Sequence, residues 1–153
     1  MFYKQKVVIK NIEYVNVVSA FQNLKFIKFL IKWQPVKIVK WEGIYNNDKA
    51  HFQFWFFYWH DFKVKHNLYK FNKNQLSFED QGVKLPLGLK SWNHQHIVDK
   101  QDNCVIIKDR ITFSHHYYFM GLILYPLLVF PILIRKFLYK KYFKKENYVY
   151  SNC

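Results

Sequence analysis

Lysines fall on one side of an extended chain in "FYKQKVVI" (Phe2 to Ile9), among β-branched and aromatic residues, which predicts a first strand. From Glu13 to Leu30 the apolar spacing changes to threes and fours, as in Val17, Phe21 and Leu24, then Phe26 and Phe29 or Leu30. That is the helical period, and Asn23 interrupts it, so two short helices are expected before Pro35 ends the region. Beyond Pro35 come "VKIVKWEG", "KAHFQFWFFYW", "FKVKHNLYKF", "QLSFEDQ", "LKSWNHQHIV" and "CVIIKDRITF". Turn-like "YNNDK", "WHD", "FNKNQ" and "DKQDN" separate most of them, as in an antiparallel meander.

The last third has a different pattern. Tyr117 to Ile134, "YYFMGLILYPLLVFPILI", carries no charge over eighteen residues, which just reaches the length of a membrane-spanning helix. Pro126 and Pro131 inside it argue against a straight one. Downstream, Ile134, Phe137 or Leu138, and Tyr142 form one apolar stripe, with Lys136, Lys140 and Lys144 off it, so an amphipathic helix is expected. The order strand, two short helices, six or so strands and a long C-terminal helix at about 118–144 is α+β, in the order of a helix-grip fold.

Composition narrows the function classes. A chain of 153 residues with 51% apolar and 22% aromatic residues is expected to fold as a single domain spanning 1–153. Cys104 and Cys153 are too far apart in sequence to suggest a disulfide framework, and the N-terminus has no secretory pattern; a cytoplasmic location is expected. The formal net charge of +14 invites a nucleic-acid reading. The basic charge is nearly all lysine, however, with Arg110 and Arg135 the two arginines, and it is scattered along the chain. No specific nucleic-acid partner is expected, since base readout relies on arginine forks and clustered charge. Peripheral contact with anionic membrane stays open, each nearby lysine adding about 1 kcal/mol.

The candidate chemistry lies in the meander. Trp92, His94 and His96 share one strand face by the period of two. In "CVIIKDRITF" the apolar face carries Asp109, so Asp109 points inward with Val105, Ile107, Ile111 and Phe113. A four-residue loop from Lys100 to Asn103 would set His94 opposite Asp109 and His96 opposite Ile107; a two-residue loop shifts the pairing by one step and keeps the faces. Alternation also places Phe78 with Asp80, and Val64 with His66, on single faces. The inward set is therefore His66, Asp80, Trp92, His94, His96 and Asp109. An inward carboxylate costs free energy unless paired, and histidine is its natural partner. Such pairs can serve strand register alone. They can equally hold the polar head of a ligand whose tail lies among aromatics. His-x-His can supply two metal ligands, yet no third or fourth is recognisable by spacing, so no metal and no cofactor are expected.

These residues also carry a resemblance. "LSFEDQ…LPLGLKSWNHQH…VIIKDRITF…ILIRKFLYKKYF" resembles the bacterial ligand-binding proteins of the SRPBCC superfamily, relatives of START lipid-transfer domains, polyketide cyclases and pollen allergens. The matching positions are Phe78, Asp80 and Gln81; Pro86; Trp92, His94 and His96; Asp109; and Arg135, over roughly residues 76–143. The loop "GVKLPLG" departs from the Gly-Pro pair of that pattern. The resemblance implies a curved antiparallel sheet of six to seven strands gripping the C-terminal helix, with an apolar cavity between them that the apolar run covers. With His66, which alternation alone adds, the ligand-binding residues expected are His66, Phe78, Asp80, Trp92, His94, His96, Asp109 and Arg135. Arg135 would anchor the helix or close one cavity mouth; an ordinary solvated arginine is the alternative.

The function expected is binding of a hydrophobic or amphipathic, lipid-like small molecule without chemistry on it. Two alternatives are a cyclase- or dehydratase-like enzyme using the inward His and Asp residues, and a protein anchored in the membrane through residues 117–134. The anchor would hold the chain on membranes through a high-salt wash. The sequence contains no nucleophile elbow, phosphate-binding glycine loop or HExxH motif.

Overall fold

The alternation at the N-terminus becomes strand β1 (Phe2–Lys10), with Val7 and Ile9 buried and the lysines outside. In the computed structural model, which describes the backbone of residues 1–150 and the side-chain surroundings of 1–144, two helices follow: α1 (Tyr14–Phe21) and α2 (Leu24–Ile31). Asn23 separates them because its side chain accepts the Lys25 N–H and caps α2. The meander is β2 (Val36–Trp41), β3 (Lys49–Phe56), β4 (Tyr58–Phe71), β5 (Gln75–Lys84), β6 (Leu89–Lys100) and β7 (Cys104–His115). All seven strands form one antiparallel sheet in the order β1-β7-β6-β5-β4-β3-β2. Helices α1 and α2 thus carry the chain from one edge of the sheet to the other, and register shifts in β4–β5 at Lys63/Val64 and Asn67/Lys70 bend the sheet.

One expectation about turns is corrected, and one open alternative is decided. The β3–β4 hairpin folds back at Phe57, not at Trp59–Asp61: Phe56 pairs with Tyr58, and Phe57 takes a positive φ of 60°. In "FWFFYW" every position is aromatic, so alternation carries no information about where the strand reverses. The β6–β7 hairpin places His96 opposite Asp109 and His94 opposite Ile111. This is the pairing of the two-residue loop, one step on from that of the Lys100–Asn103 loop: Lys100 still pairs with Val105, and the Gln101 N–H donates to the Cys104 carbonyl. The faces are unchanged. Cys104 is a free thiol; Cys153 lies outside the described residues.

The C-terminal helix is longer than expected and interrupted. Helix α3 (Tyr118–Leu133) contains both prolines, and α4 (Arg135–Tyr150) follows after Ile134. Carbonyls near the break are taken up from outside the helix: Gln5 Nε2 donates to the Ile132 carbonyl at 2.8 Å and Gln34 Nε2 to the Pro131 carbonyl at 3.4 Å. This satisfies last-turn carbonyls that the end of α3 leaves open. The break puts Arg135 at the start of α4.

Two apolar clusters result. One joins α1, α2 and α4 to β1, β5, β6 and β7 through Phe21, Phe26, Leu76, Ile107, Tyr139 and Phe143. The other packs Leu124, Leu128, Val129 and Ile132 of α3 on Val64, Trp92, Ile111 and Phe113. The grip on α3 is partial. Tyr118, Phe119, Leu122, Ile123, Phe130 and Leu133 are exposed, and the helical stretch Tyr118–Lys144 is long and apolar enough to cross a membrane by length and composition.

Candidate functional site

Strand register assembles the polar centre. Across the sheet one row runs Gln5, Asp109, His96, Phe78, and the next runs Ile111, His94, Asp80, His66. Both rows face inward, and neighbours along the diagonals come within hydrogen-bond reach. Asp109, fully buried, is 3.0 Å from His94 Nε2 through Oδ1 and accepts Gln5 Nε2 at 2.8 Å through Oδ2. Asp80 is 2.9 Å from His66 Nδ1 and 3.2 Å from His96 Nε2. His96 therefore bridges the two carboxylates: its Nδ1 lies 3.2 Å from Asp109 Oδ1, though out of line for a hydrogen bond.

The helices complete the centre. Tyr139 of α4, fully buried, donates its hydroxyl to Asp109 Oδ1 at 3.3 Å. Phe78 stacks on His96 at 4.5 Å between ring centroids, and Phe21 of α1 meets the same ring edge-on. Arg135 is half-buried, with its Nε enclosed and without a hydrogen-bond partner among the described residues.

Charge is distributed unevenly over these groups. Burial would raise the Asp80 carboxyl, but the His96 charge and the bond from His66 hold it well below the usual carboxylate range. Burial likewise opposes ionisation of Asp109, and the bond from His94 together with the nearby His96 charge depresses it. Burial works against a charged His96 as well, and Asp80 and Asp109 outweigh it, so His96 is raised above an ordinary imidazole. His94 goes the other way: burial, then the neighbouring His96 charge, push it down to about 4. Desolvation also lowers Arg135, and Tyr139, Asp109 and Asp80 more than restore it. At neutral pH the centre thus holds two carboxylates, an imidazolium, a guanidinium and a neutral His94. Its charge is balanced internally.

A cavity of about 200 Å³ opens beside it. Asp80, His94 and Arg135 form its polar end; Phe52, Phe54, Phe62, Trp92, Leu128 and Ile132 are among its apolar walls. Trp55 and Phe130, both about half exposed, stand at its rim. Pro86 also lines it, although the loop around it is stretched relative to the resembled pattern.

All eight residues singled out from the sequence converge here. Asp80, Trp92, His94 and Arg135 line the cavity; His66, Phe78, His96 and Asp109 lie behind them. Three partners were missed. Gln5 had a signal, being the polar residue on the inward face of β1; Tyr139 stands one helical turn after Arg135; Phe21 read only as core.

Comparison with known proteins follows this geometry. Neither a protein-family model nor a curated protein matches the sequence. Solved structures do. Norcoclaurine synthase from Thalictrum flavum, in complex with dopamine and hydroxybenzaldehyde, aligns over 95% of this chain and 87% of its own, with a TM-score of 0.66 and 14% identity. A hypothetical protein from Helicobacter pylori aligns over 75% of this chain and 70% of its own (TM-score 0.57, 16% identity). A major latex-like protein from Panax ginseng covers 76% and 80% (TM-score 0.52, 12% identity). At such identities the likeness is one of fold, and that fold is the helix grip.

Proposed function

With the helix grip as premise, we propose that this protein binds a hydrophobic or amphipathic, lipid-like small molecule in the cavity between sheet and C-terminal helix, without chemistry on it. The observation that carries this reading is the asymmetry of the cavity, whose aromatic and aliphatic walls end in Asp80, His94 and Arg135. A polar head would meet these three groups, and the tail would lie along Phe52, Phe62, Trp92 and Leu128. At about 200 Å³ the cavity is smaller than the roughly 300–1,000 Å³ of drug-sized sites. A small aromatic molecule fits inside, and a longer chain would extend past Trp55 and Phe130. The norcoclaurine synthase complex supports the size class, since dopamine and hydroxybenzaldehyde are small aromatic molecules held by a protein of the same fold.

The non-catalytic reading is favoured over a cyclase- or dehydratase-like enzyme by His94 itself. A general base works best with a pKa near the operating pH, and His94 is pushed down to about 4. The exposed face of α3 supports a second element: a cytoplasmic protein that touches anionic membrane through Phe119, Leu122 and Ile123, on the helix that also brings Phe130 to the cavity.

Native mass spectrometry of protein purified without detergent, set against its denatured mass, tests the main reading. Extra mass of an organic molecule that disappears on denaturation is expected, and Val64→Phe, which narrows the cavity, should reduce it. A clean apo mass would count against ligand retention.

A further inference from the structure

We propose that Asp80, His94 and His96 form a binding site for one divalent transition-metal ion of the zinc class, with the remaining coordination position facing the cavity. Sequence spacing offers only the His-x-His pair. The fold adds the third donor, because β5 lies beside β6 and sets Asp80 opposite His94. One ligand atom from each of the three lies within 4.8 Å of the others. Asp80 Oδ2 is 3.2 Å from His96 Nε2 and 3.8 Å from His94 Nδ1. Zinc bonds of about 2.0–2.1 Å in a tetrahedron require ligand atoms about 3.3 Å apart. Both carboxylate–imidazole separations are therefore within about half an ångström of the tetrahedral spacing.

The surroundings match what a metal site needs. Metal-bound histidines direct their second nitrogen at a carboxylate or carbonyl, which fixes the ring and its tautomer. Here one oxygen, Asp109 Oδ1, lies 3.0 Å from His94 Nε2 and 3.2 Å from His96 Nδ1. Both rings thus turn their other nitrogen toward Asp80. Asp80 is itself oriented by His66 Nδ1 at 2.9 Å. The donor set of two imidazoles and one carboxylate is that of a borderline-soft ion, and three protein ligands with one open position is the pattern of accessible rather than closed zinc sites.

A divalent ion brings two positive charges to a centre where Arg135 already stands beside Asp80 and Asp109. The ion then leaves the centre with excess positive charge beside Arg135, which favours an anionic fourth ligand. If the proposed cavity ligand has a carboxylate head, that head would supply it; this last step rests on the reading of the cavity above, whereas the site for the ion does not.

Titration of metal-free, full-length protein with Co²⁺ and with Zn²⁺ tests the assignment. The expected result is one ion per chain, with the strong visible absorption of low-coordinate Co²⁺. Asp80→Asn and His94→Gln should each abolish stoichiometric binding, and Asp109→Asn should weaken it about 10–100-fold. His51→Ala, on the separate His51–Asp61 pair, should leave it unchanged. Absence of stoichiometric binding to the wild type would overturn the proposal, as would binding that survives Asp80→Asn and is lost in His51→Ala. Should the ligand variants fail to fold, X-ray absorption on the wild-type zinc complex decides: two imidazoles with oxygen donors uphold the site, and any other shell overturns it. An organic mass adduct without metal in the native spectrum would leave the ligand reading standing and count against this one.

Discussion

Tyr139 on α4 donates its hydroxyl to Asp109 on β7 at 3.3 Å, both side chains being completely buried. The hydrogen bond ties the gripping helix to the polar centre of the sheet. Because Asp109 keeps Gln5 and His94, Tyr139→Phe is expected to cost about 1 kcal/mol of stability. Urea unfolding of the two proteins measures it; no change in midpoint would mean that the bond adds nothing to the grip.

Asp109→Asn should be far more costly. The substitution keeps the shape but removes the negative charge from a centre that holds an imidazolium and a guanidinium. Breaking a buried ion pair from one side typically costs about 3–5 kcal/mol, and a loss in that range is expected by denaturant unfolding. A loss below about 1 kcal/mol would show that His96 simply gives up its proton.

The metal-free protein should be most stable near neutral pH. Asp80 and Asp109 are depressed in the fold, so their contribution is present above about pH 4 and is lost as pH falls through their folded values. His94, lowered to about 4 from 6.5, adds a loss of stability as pH drops between those values. His96 is raised, so its contribution is full below about pH 6.5 and disappears as pH rises through its folded pKa. Melting temperature followed by circular dichroism should peak near about pH 6.5, and His94→Gln should flatten the slope between 4 and 6.5. A melting temperature rising steadily to pH 9 would contradict the charged His96.

Two leucines of equal chemistry should separate core from cavity. Leu76 is fully enclosed in the cluster between α1 and the sheet, while Leu128 borders the cavity. Leu→Ala substitutions in cores cost about 2–5 kcal/mol, depending on the space left behind. Leu76→Ala is expected in the upper half of that range. Leu128→Ala, which enlarges a space already present, is expected near about 2 kcal/mol and should change the mass or amount of any retained ligand.

The exposed face of α3 gives a test with little folding cost. Phe119 is 71% and Ile123 54% exposed, so changing both to serine should shift stability by no more than about 0.5 kcal/mol each. If this face meets lipid, the double variant loses co-flotation with anionic vesicles that the wild type shows. Equal flotation of the two would leave only the lysines as attachment, and high salt would then release both.

Much of this architecture was legible because periodicity is local. The alternation in β1, β6 and β7 told which side chains face inward, and that was enough to gather Trp92, His94, His96 and Asp109 before any register was known. Face assignment is the same for either loop between β6 and β7, since registers two residues apart conserve the pleat. The reversal at Phe57 was not legible, because aromatic residues on both sides of the strand erase the alternation on which a turn assignment depends. Gln5 could have been read from the same pattern that defined β1. Tyr139 could not, since nothing in its own helix says which face meets Asp109.

By itself, the sequence determined the order of the elements, the inward faces of the strands and the residue types at the polar centre, all of which follow from backbone periods of two and 3.6 and from the cost of burying an unpaired charge. Only the tertiary structure decided who pairs with whom. Register set His96 rather than His94 opposite Asp109, sheet order brought Asp80 beside both histidines, and the break at Ile134 started α4 at Arg135. Such relations join residues far apart in sequence, as Gln5 and the Ile132 carbonyl are at 127 positions. They depend on loop reversals and on the packing of helix against sheet, neither of which leaves a repeating trace in the order of the amino acids.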